Sequence, residues 1–218
     1  MKAGKIILEK IIELTNLYIG SMPKKERKKY GQFFTSMETS HFMVSLYNIP
    51  ENSDRVSVLD AGAGSDILSC AFIEQLENNE NVREIELTCY ENDSNVLPLL
   101  KNNLQYCKEK STEKIIVNII TDNYILSQYL DFNYMIGGNT EPKKYDFVIR
   151  NPPYMKIPEI APETKAMLEI CYGAKQPMNA FVFMILFNLL ILITTSYILK
   201  IVEKHSKNRH YIDFVLPR

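Results

Sequence analysis

Short apolar segments alternate with helical segments from residue 56 to residue 149, and this alternation constrains the fold more than any other feature of the chain. Strands separated by helices are typical of a parallel sheet, whose functional groups gather at the carboxyl ends of the strands. We therefore predict an α/β domain. The predicted strands are 56–60, 85–90, 115–120 and 145–149, and the predicted helices begin at residue 66 and span 94–107.

A helical arm precedes this domain. Residues 37–47 predict one short helix, which ends before Pro50. The first twenty residues predict a longer amphipathic helix, because apolar side chains recur at helical spacing. Its stripe consists of Ile7, Ile11, Leu14 and Tyr18. We expect the arm to cover residues 1–52 and a catalytic domain to cover residues 53–218.

The charge balance limits how the chain meets nucleic acid. The net charge is −1, so there is no broad basic field of the kind that dominates nucleic-acid affinity. Residues 24–29 are locally rich in lysine and arginine. A solvated linker is the favoured interpretation of this run, and contact with phosphate is the alternative.

The four cysteines, Cys70, Cys89, Cys107 and Cys171, are scattered without a CxxC pair. Such spacing favours buried thiols in a reducing cytoplasm over disulfides or a zinc site. The amino-terminal helix carries Glu9, Lys10 and Glu13, so it lacks the continuous apolar core of a secretory signal. The sequence thus predicts a cytoplasmic protein.

Residues 180–199 form a mostly apolar run that is long enough to span a bilayer. A buried helix of an α/β domain has the same composition. The run lies between one strand and another candidate strand at 211–216, so the buried helix is the favoured interpretation and membrane association the alternative.

A glycine turn between the first strand and the first helix predicts a nucleotide-binding corner, because small residues admit a ligand and a helix amino terminus offers free N–H groups. Glu91, at the end of the second strand, is placed to accept hydrogen bonds from both ribose hydroxyls of an adenosyl ligand. Asp122, after the third strand, is placed to accept from the exocyclic amine of the cofactor adenine, although taken alone such an aspartate more often forms a turn or caps a helix. The turn reads Asp60-Ala61-Gly62-Ala63-Gly64-Ser65-Asp66.

The most specific feature follows the fourth strand, where the sequence is Asn151-Pro152-Pro153-Tyr154. Two prolines hold the backbone extended and keep its carbonyls out of a helix or sheet ladder. An amine held there would meet two acceptors, the Asn151 side-chain oxygen and the Pro152 carbonyl. Tyr154 supplies a flat face on which a base or amide can stack. The alternative is a simple Asn-Pro turn.

These motifs resemble those of S-adenosylmethionine-dependent amino-methyltransferases, whose catalytic motif is (D/N)PP(Y/F). The segment Tyr30-Gly31-Gln32-Phe33-Phe34-Thr35 resembles the motif that precedes the glycine turn in gamma-order DNA adenine-N6 methyltransferases of restriction–modification systems. The resemblance implies a Rossmann-like fold and S-adenosylmethionine as cofactor. It implies catalytic roles for Asn151, Pro152, Pro153 and Tyr154, and cofactor contacts for Phe33, Thr35, Asp60, Ala61, Gly62, Gly64, Glu91, Asp122 and Asn151.

By the same resemblance, an adenine flipped out of duplex DNA would stack on Tyr154 and present N6 to Asn151, with no metal involved. The chain departs from the family at Asp66, where another glycine is usual. As an N-cap Asp66 would stabilise the helix, and as a carboxylate near the methionine end of the cofactor it would repel the cofactor carboxylate or pair with its ammonium.

The family continues beyond the strand that 214–218 resembles, into further catalytic and target-recognition parts. We therefore expect a fragment, a split subunit that needs a specificity partner, or a decayed gene. Methylation of protein glutamine or RNA, and a non-catalytic cofactor-binding fragment, are the alternative functions.

Overall fold

The computed structural model describes residues 3–24, 34–49, 53–77, 79–127, 143–151 and 161–172. The chain divides into two compact units, Met1–Gly173 and Ala174–Arg218, and every described residue belongs to the first. The apolar run at 180–199 and the candidate strand at 211–216 lie outside the described residues. The domain boundary expected after residue 52 stays a prediction.

Four described strands form one parallel sheet in the order β3-β2-β1-β4. Strand order runs outward from β1 in both directions, so the edge beyond the carboxyl ends of β1 and β4 is the position where α/β folds bind ligands. This confirms the predicted α/β class. The strands are β1 Arg55–Ala61, β2 Glu84–Tyr90, β3 Lys114–Ile120 and β4 Phe147–Ile149.

The register aligns the strand ends that carry the predicted site. Ala61 lies opposite Tyr90, and Tyr90 lies opposite Ile120. On the other side of β1, Asp60 lies opposite Ile149. The segments that follow these four strands therefore leave the sheet at one edge, as the alternation of strands and helices predicted.

Helices cover the sheet with apolar faces. The helix after β1 is buried along most of its length, and the amino-terminal helix packs against it and against the helix after β2. The amino-terminal helix buries Ile7, Leu8 and Ile11, which confirms the predicted amphipathic stripe in its first half. The helices are α1 Ala3–Ser21, α2 Met37–Ser45, α3 Ile67–Leu76, α4 Leu97–Lys110 and α5 Pro162–Tyr172.

Helix α4 begins at Leu97, three residues later than the sequence pattern indicated. The reason is local: the Asp93 carboxylate accepts the Asn95 backbone N–H at 2.9 Å, and this turn precedes the helix. Pro98 then falls in the first turn, where its missing N–H costs no helical hydrogen bond.

Cys70, Cys89 and Cys107 are buried and unpaired, as the scattered cysteines predicted, and Cys171 lies in a stretch whose side chains are outside the description. Within the described ranges, no helix combines the length and apolarity that crossing a membrane requires.

Candidate functional site

The glycine turn after β1 is held by one acceptor on the neighbouring strand. The backbone N–H groups of Gly62 and Ala63 both donate to the Tyr90 carbonyl, at 3.0 and 2.9 Å. Gly62 and Gly64 have φ of 111° and 57°, a region that residues with a Cβ rarely adopt. A Cβ built on Gly62 would meet no other described residue within 4 Å, so the described part of the turn is open on this side. It leaves room for a ligand close to its backbone.

Glu91 links this turn to the loop after β2. Its Oε2 accepts the Gly64 N–H at 2.9 Å, and its Oε1 accepts the Asp93 N–H at 2.8 Å. Burial raises the pKa of the Glu91 carboxyl. Each carboxylate oxygen accepts more than one hydrogen bond, so both retain capacity for a ligand hydroxyl. The group fits the ribose contact that was predicted for it.

Asp60 lies beneath the turn. It is 1% exposed, and its Oδ2 accepts the Ser69 hydroxyl at 2.6 Å. Its Oδ1 has no partner among the described residues. Burial raises the pKa of Asp60 to about 7, the Ser69 hydrogen bond opposes this rise, and the negative charge of Glu91 adds to it. Asp60 therefore offers one buried, unused acceptor, and its contact with the cofactor stays a prediction.

Asp66 does not behave as the sequence suggested. It stands at the N-cap position of α3, but its side chain makes no capping hydrogen bond, and its φ is 73°. The side chain is fully buried at 0% exposure, and its Oδ2 accepts a long hydrogen bond of 3.8 Å from the Cys107 thiol. The expected capping role is wrong, because the left-handed backbone turns the carboxyl away from the helix N–H groups.

The surroundings of Asp66 disfavour a charge. Its Oδ1 has no partner in the described part of the chain, and burial together with Asp60 raises its pKa well above the ordinary value. A carboxyl in such a place is held protonated. The burial of Asp66 and its raised pKa disfavour the expected charge interaction with the methionine end of the cofactor.

Asp122 is exposed at the end of β3, and no other described residue bonds its carboxylate. Its neighbour Asn123 is structural: the Asn123 amide donates to the Thr164 hydroxyl at 3.1 Å, and its oxygen accepts the Ile125 N–H at 2.9 Å. The contacts of Asn123 hold the end of β3 against α5. Asp122 keeps its acceptors, and its contact with the cofactor adenine stays a prediction.

Asn151 and Thr35 meet although they are 116 residues apart in sequence. The Asn151 Nδ2 donates to the Thr35 Oγ1 at 3.0 Å. Because the amide nitrogen is used as donor, Oδ1 is the atom of Asn151 that is left to accept a hydrogen bond. Phe33, Pro152, Pro153 and Tyr154 lie outside the described residues, so their roles stay predictions.

Phe34 is a residue of the site that was not selected from the sequence, although it lies within the segment that resembles the family. Its ring atom Cε1 lies 3.7 Å from the position of a Cβ built on Gly64. Asn103 was also missed: its side-chain amide donates to the Ser65 carbonyl at 2.7 Å and ties the turn to α4. The local sequence distinguishes Asn103 in no way from an exposed helical asparagine.

Three acidic side chains, those of Asp60, Asp66 and Glu91, surround the turn. None of the ion pairs among the described residues involves any of them. Because Asp66 is held protonated, the acidic corner that suits a positively charged ligand consists of Asp60 and Glu91. In the same part of the chain, no cluster of histidine, cysteine and acidic residues could hold a metal ion.

Known proteins are similar to this chain in sequence and in fold. Residues 13–190 match the model of the family described as N-6 DNA Methylase. The chain is 29% identical to the type II methyltransferase M.PstI of Providencia stuartii over 81% of this chain and 34% of that protein. It is 30% identical to M.BsuBI of Bacillus subtilis over 72% of this chain and 31% of that protein. The chain thus spans about a third of the length of these relatives.

A solved structure supports the fold. It is a putative class I S-adenosylmethionine-dependent methyltransferase from Listeria monocytogenes, which is 15% identical to this chain. The TM-score is 0.51, over 84% of this chain and 50% of the other. At this identity the likeness concerns the fold alone, and it agrees with the Rossmann-like architecture that the sequence predicted.

Proposed function

Because the chain belongs to the N-6 DNA methylase family, we propose that it is the cofactor-binding and catalytic portion of an adenine-N6 methyltransferase. The resemblance drawn from the motifs is thereby confirmed at the level of the family. The methyl donor in this proposal is S-adenosylmethionine, and the substrate is an adenine in duplex DNA.

One observation carries the catalytic part of the proposal, the hydrogen bond of 3.0 Å from Asn151 Nδ2 to Thr35 Oγ1. An asparagine amide can present either oxygen or nitrogen to a ligand, and only the oxygen can accept from an amino group. In the observed arrangement Thr35 Oγ1 accepts from the Asn151 amide nitrogen, which leaves the amide oxygen facing away from Thr35 as the acceptor in this proposal. Asn151 Oδ1 is then preorganised to hold an adenine N6 amino group, which is the contact that the reaction needs.

The site would act by orientation rather than by acid–base chemistry. A target adenine flipped from the duplex would stack on Tyr154, with N6 held between Asn151 Oδ1 and the Pro152 carbonyl. Two acceptors on one amino group direct the nitrogen lone pair toward the donor. The bound cofactor would supply an electrophilic methyl group on a sulfonium. The bond to N6 would form as the methyl–sulfur bond breaks, the cofactor would leave as the neutral thioether S-adenosylhomocysteine, and N6 would release one proton to solvent. Holding the amine and the methyl group in line accounts for the catalysis.

The residues around the glycine turn fit the cofactor. Gly62 borders open space, Glu91 retains acceptors for ribose hydroxyls, and Asp122 is exposed beyond β3 for the adenine amine. The sulfonium and ammonium groups give S-adenosylmethionine a positive charge. The acidic corner formed by Asp60 and Glu91 complements that charge.

Target recognition would belong to a part that the relatives have and this chain does not match. The matched stretches cover only 34% and 31% of the two relatives. Sequence readout requires base contacts in the grooves. We propose that a specificity-bearing partner or further polypeptide supplies them.

The proposal is tested on the full chain with two substitutions at one position. Thr35→Val removes the acceptor and leaves the Asn151 amide free to turn, while Thr35→Ser keeps a hydroxyl. Labelled S-adenosylmethionine is offered with unmethylated duplex DNA, a glutamine-bearing protein and RNA in parallel. We expect slow transfer to adenine N6 in DNA without sequence preference, because a separate part is proposed to read the bases. The valine variant should lose about tenfold or more in kcat, and the serine variant less than about threefold.

Calorimetry with S-adenosylmethionine accompanies these assays. A folded sample that does not bind the cofactor rules the proposal out. Label that appears in glutamine or RNA instead of DNA replaces the proposed substrate, and equal kcat values for the valine and serine variants remove the proposed role of Thr35.

A further inference from the structure

The Tyr18 side chain of helix α1 contacts two segments that border the glycine turn. The Tyr18 hydroxyl donates to the Asn95 carbonyl at 2.9 Å, in the loop that follows β2. The Tyr18 ring also meets the edge of the Phe34 ring, with centroids 6.3 Å apart and planes at 82°. One residue thus contacts both segments that border the site.

The contacts continue from Asn95 to the turn. Asp93 Oδ1 accepts the Asn95 backbone N–H at 2.9 Å and its side-chain amide at 3.1 Å. The Asp93 N–H donates to Glu91 Oε1 at 2.8 Å, and Glu91 Oε2 accepts the Gly64 N–H at 2.9 Å. Three short steps therefore connect the Tyr18 hydroxyl with the carboxylate predicted to bind ribose.

Phe34 closes these contacts into a circuit. Its ring lies against Gly64, with Cε1 and Cδ1 3.7 and 3.8 Å from the position of a Cβ built there. From Phe34 the circuit returns to Tyr18. Every member except Tyr18 belongs to a loop, a turn or the short segment before α2.

Tyr18 is the member with a rigid support. It lies in α1, whose buried residues Ile7, Leu8 and Ile11 hold the helix in the core. Loops at a sheet edge have few such anchors, and their order depends on the contacts they make with rigid elements. Through its contacts with Asn95 and Phe34, Tyr18 links the core to the segments on both sides of Gly64.

We infer that Tyr18 is a positioning residue of the cofactor site, which sets the spacing between the Glu91 carboxylate and the Phe34 wall on either side of Gly64. It touches neither the cofactor nor the substrate adenine in this role. The inference rests on the proposed function for the identity of the ligand, and on the contacts alone for the circuit.

The test uses Tyr18→Phe in the full chain, which keeps the ring and removes the hydroxyl. The matched control is Leu17→Ala, the preceding residue on α1, which is 64% exposed. We expect Tyr18→Phe to raise the Kd for S-adenosylmethionine about two- to tenfold, the size of one neutral hydrogen bond. The control leaves Kd unchanged, and both variants unfold at nearly the same denaturant concentration as the parent.

A second readout needs no cofactor. Amide hydrogen exchange at Gly64 and Asp93, whose N–H groups both donate to Glu91, becomes at least about threefold faster in Tyr18→Phe, while Leu87 in the middle of β2 is unaffected. Phe34→Leu, on the opposite side of the circuit, produces the same pattern. The double variant shows less than the sum of the two effects, because both act through one circuit.

The outcomes separate the two proposals. Failure of the parent chain to bind S-adenosylmethionine rejects the proposed function, and the exchange comparison still decides the circuit. Unchanged Kd and unchanged protection at Gly64 in Tyr18→Phe overturn the positioning role. A drop in unfolding free energy with unchanged Kd also overturns it, because that pattern describes a stabilising contact only.

Discussion

The two ends of the sheet treat their carboxylates in opposite ways. At the amino end, Glu84 pairs with Lys114 at 2.8 Å and with Arg55 at 3.4 Å, and Glu86 pairs with Arg55 at 2.6 Å and with Lys143 at 2.7 Å. The hydrogen bond from Lys114 is the main cause that lowers the pKa of Glu84, and that from Lys143 lowers the pKa of Glu86.

At the carboxyl end, Asp60, Asp66 and Glu91 have no such cations in the described part of the chain, and burial raises the pKa of each. The contrast teaches what each end does. Acids that form ion pairs link the exposed amino ends of neighbouring strands. Acids that are buried without counter-ions are destabilising in the free protein, and a cationic ligand relieves that cost.

The two ends also respond to pH with opposite signs. For Glu84 and Glu86, whose pKa is lowered on folding, the contribution to stability is present above the unfolded pKa and lost as the pH falls. For Asp60 and Asp66, whose pKa is raised, stability is greatest below the unfolded pKa and is lost as the pH rises through the folded pKa.

The largest effect, on cofactor affinity, should come from Glu91, which combines burial with the predicted ribose contact. Glu91→Gln offers one oxygen to two backbone N–H donors and removes a negative charge. We expect the Kd for S-adenosylmethionine at about pH 8 to rise about ten- to a hundredfold, the size of a hydrogen bond to a charged group. Glu84→Gln, the same change at the amino end, should leave Kd within about twofold.

The parent chain should also bind S-adenosylmethionine more tightly as the pH rises from about 6 to 8, because Asp60, with a pKa of about 7, becomes negative over this range. Calorimetry at several pH values measures both effects. Equal losses of affinity in the two glutamine variants would remove the distinction between the ends of the sheet.

A smaller effect is expected on stability from Asp66→Asn. Asparagine tolerates the left-handed backbone and stays neutral at every pH, so the variant avoids the loss that the parent suffers as the pH rises. Urea unfolding at about pH 5 and pH 8 should show the variant gaining stability relative to the parent as the pH rises.

The control for Asp66 is the exposed residue Asp54, just before β1. Asp54→Asn, measured at the same two pH values, gives the baseline for the comparison. A difference for Asp66→Asn that varies with pH no more than this baseline would show that Asp66 is not held protonated.

The smallest effect should come from the exposed ion pairs at the amino end of the sheet. Lys114→Met breaks the pair with Glu84, but the lysine side chain is 68% exposed, where water and salt screen the attraction. We expect a shift in Tm smaller than that of Asp66→Asn at about pH 8, and no shift in about 1 M salt. A larger shift that persists in salt would mean that the ion pairs at the amino end of the sheet contribute as much to stability as the buried acids at its carboxyl end.

Local patterns in the sequence were sufficient for most of the described fold. The strands β1, β2 and β3 lie where short apolar runs predicted them, because aliphatic and β-branched side chains suit an extended, pleated backbone. Glu91 and Asp122 follow strand ends, so the parallel sheet alone was enough to place them at one edge. The start of α4 was missed because the Asp93 turn competes with the helix.

The contact between Thr35 and Asn151 lay beyond local reasoning. Nothing in the spacing joins two residues 116 positions apart, and only the resemblance to a family associated their motifs. The same holds for Tyr18, which the helical stripe assigned to the core. Its hydroxyl partner Asn95 lies 77 residues away.

The sequence by itself determined the alternation of strands and helices, the glycine turn and the chemical character of each strand end, because these depend on neighbours within a few residues. Only the tertiary structure decided which carboxylates pair with a cation and which are buried without one. Glu84 pairs with Lys114 on the neighbouring strand, whereas Asp66 is buried and accepts a long hydrogen bond from the uncharged Cys107 thiol. Burial and counter-ions come from distant parts of the chain, so a carboxylate's charge is a property of the fold.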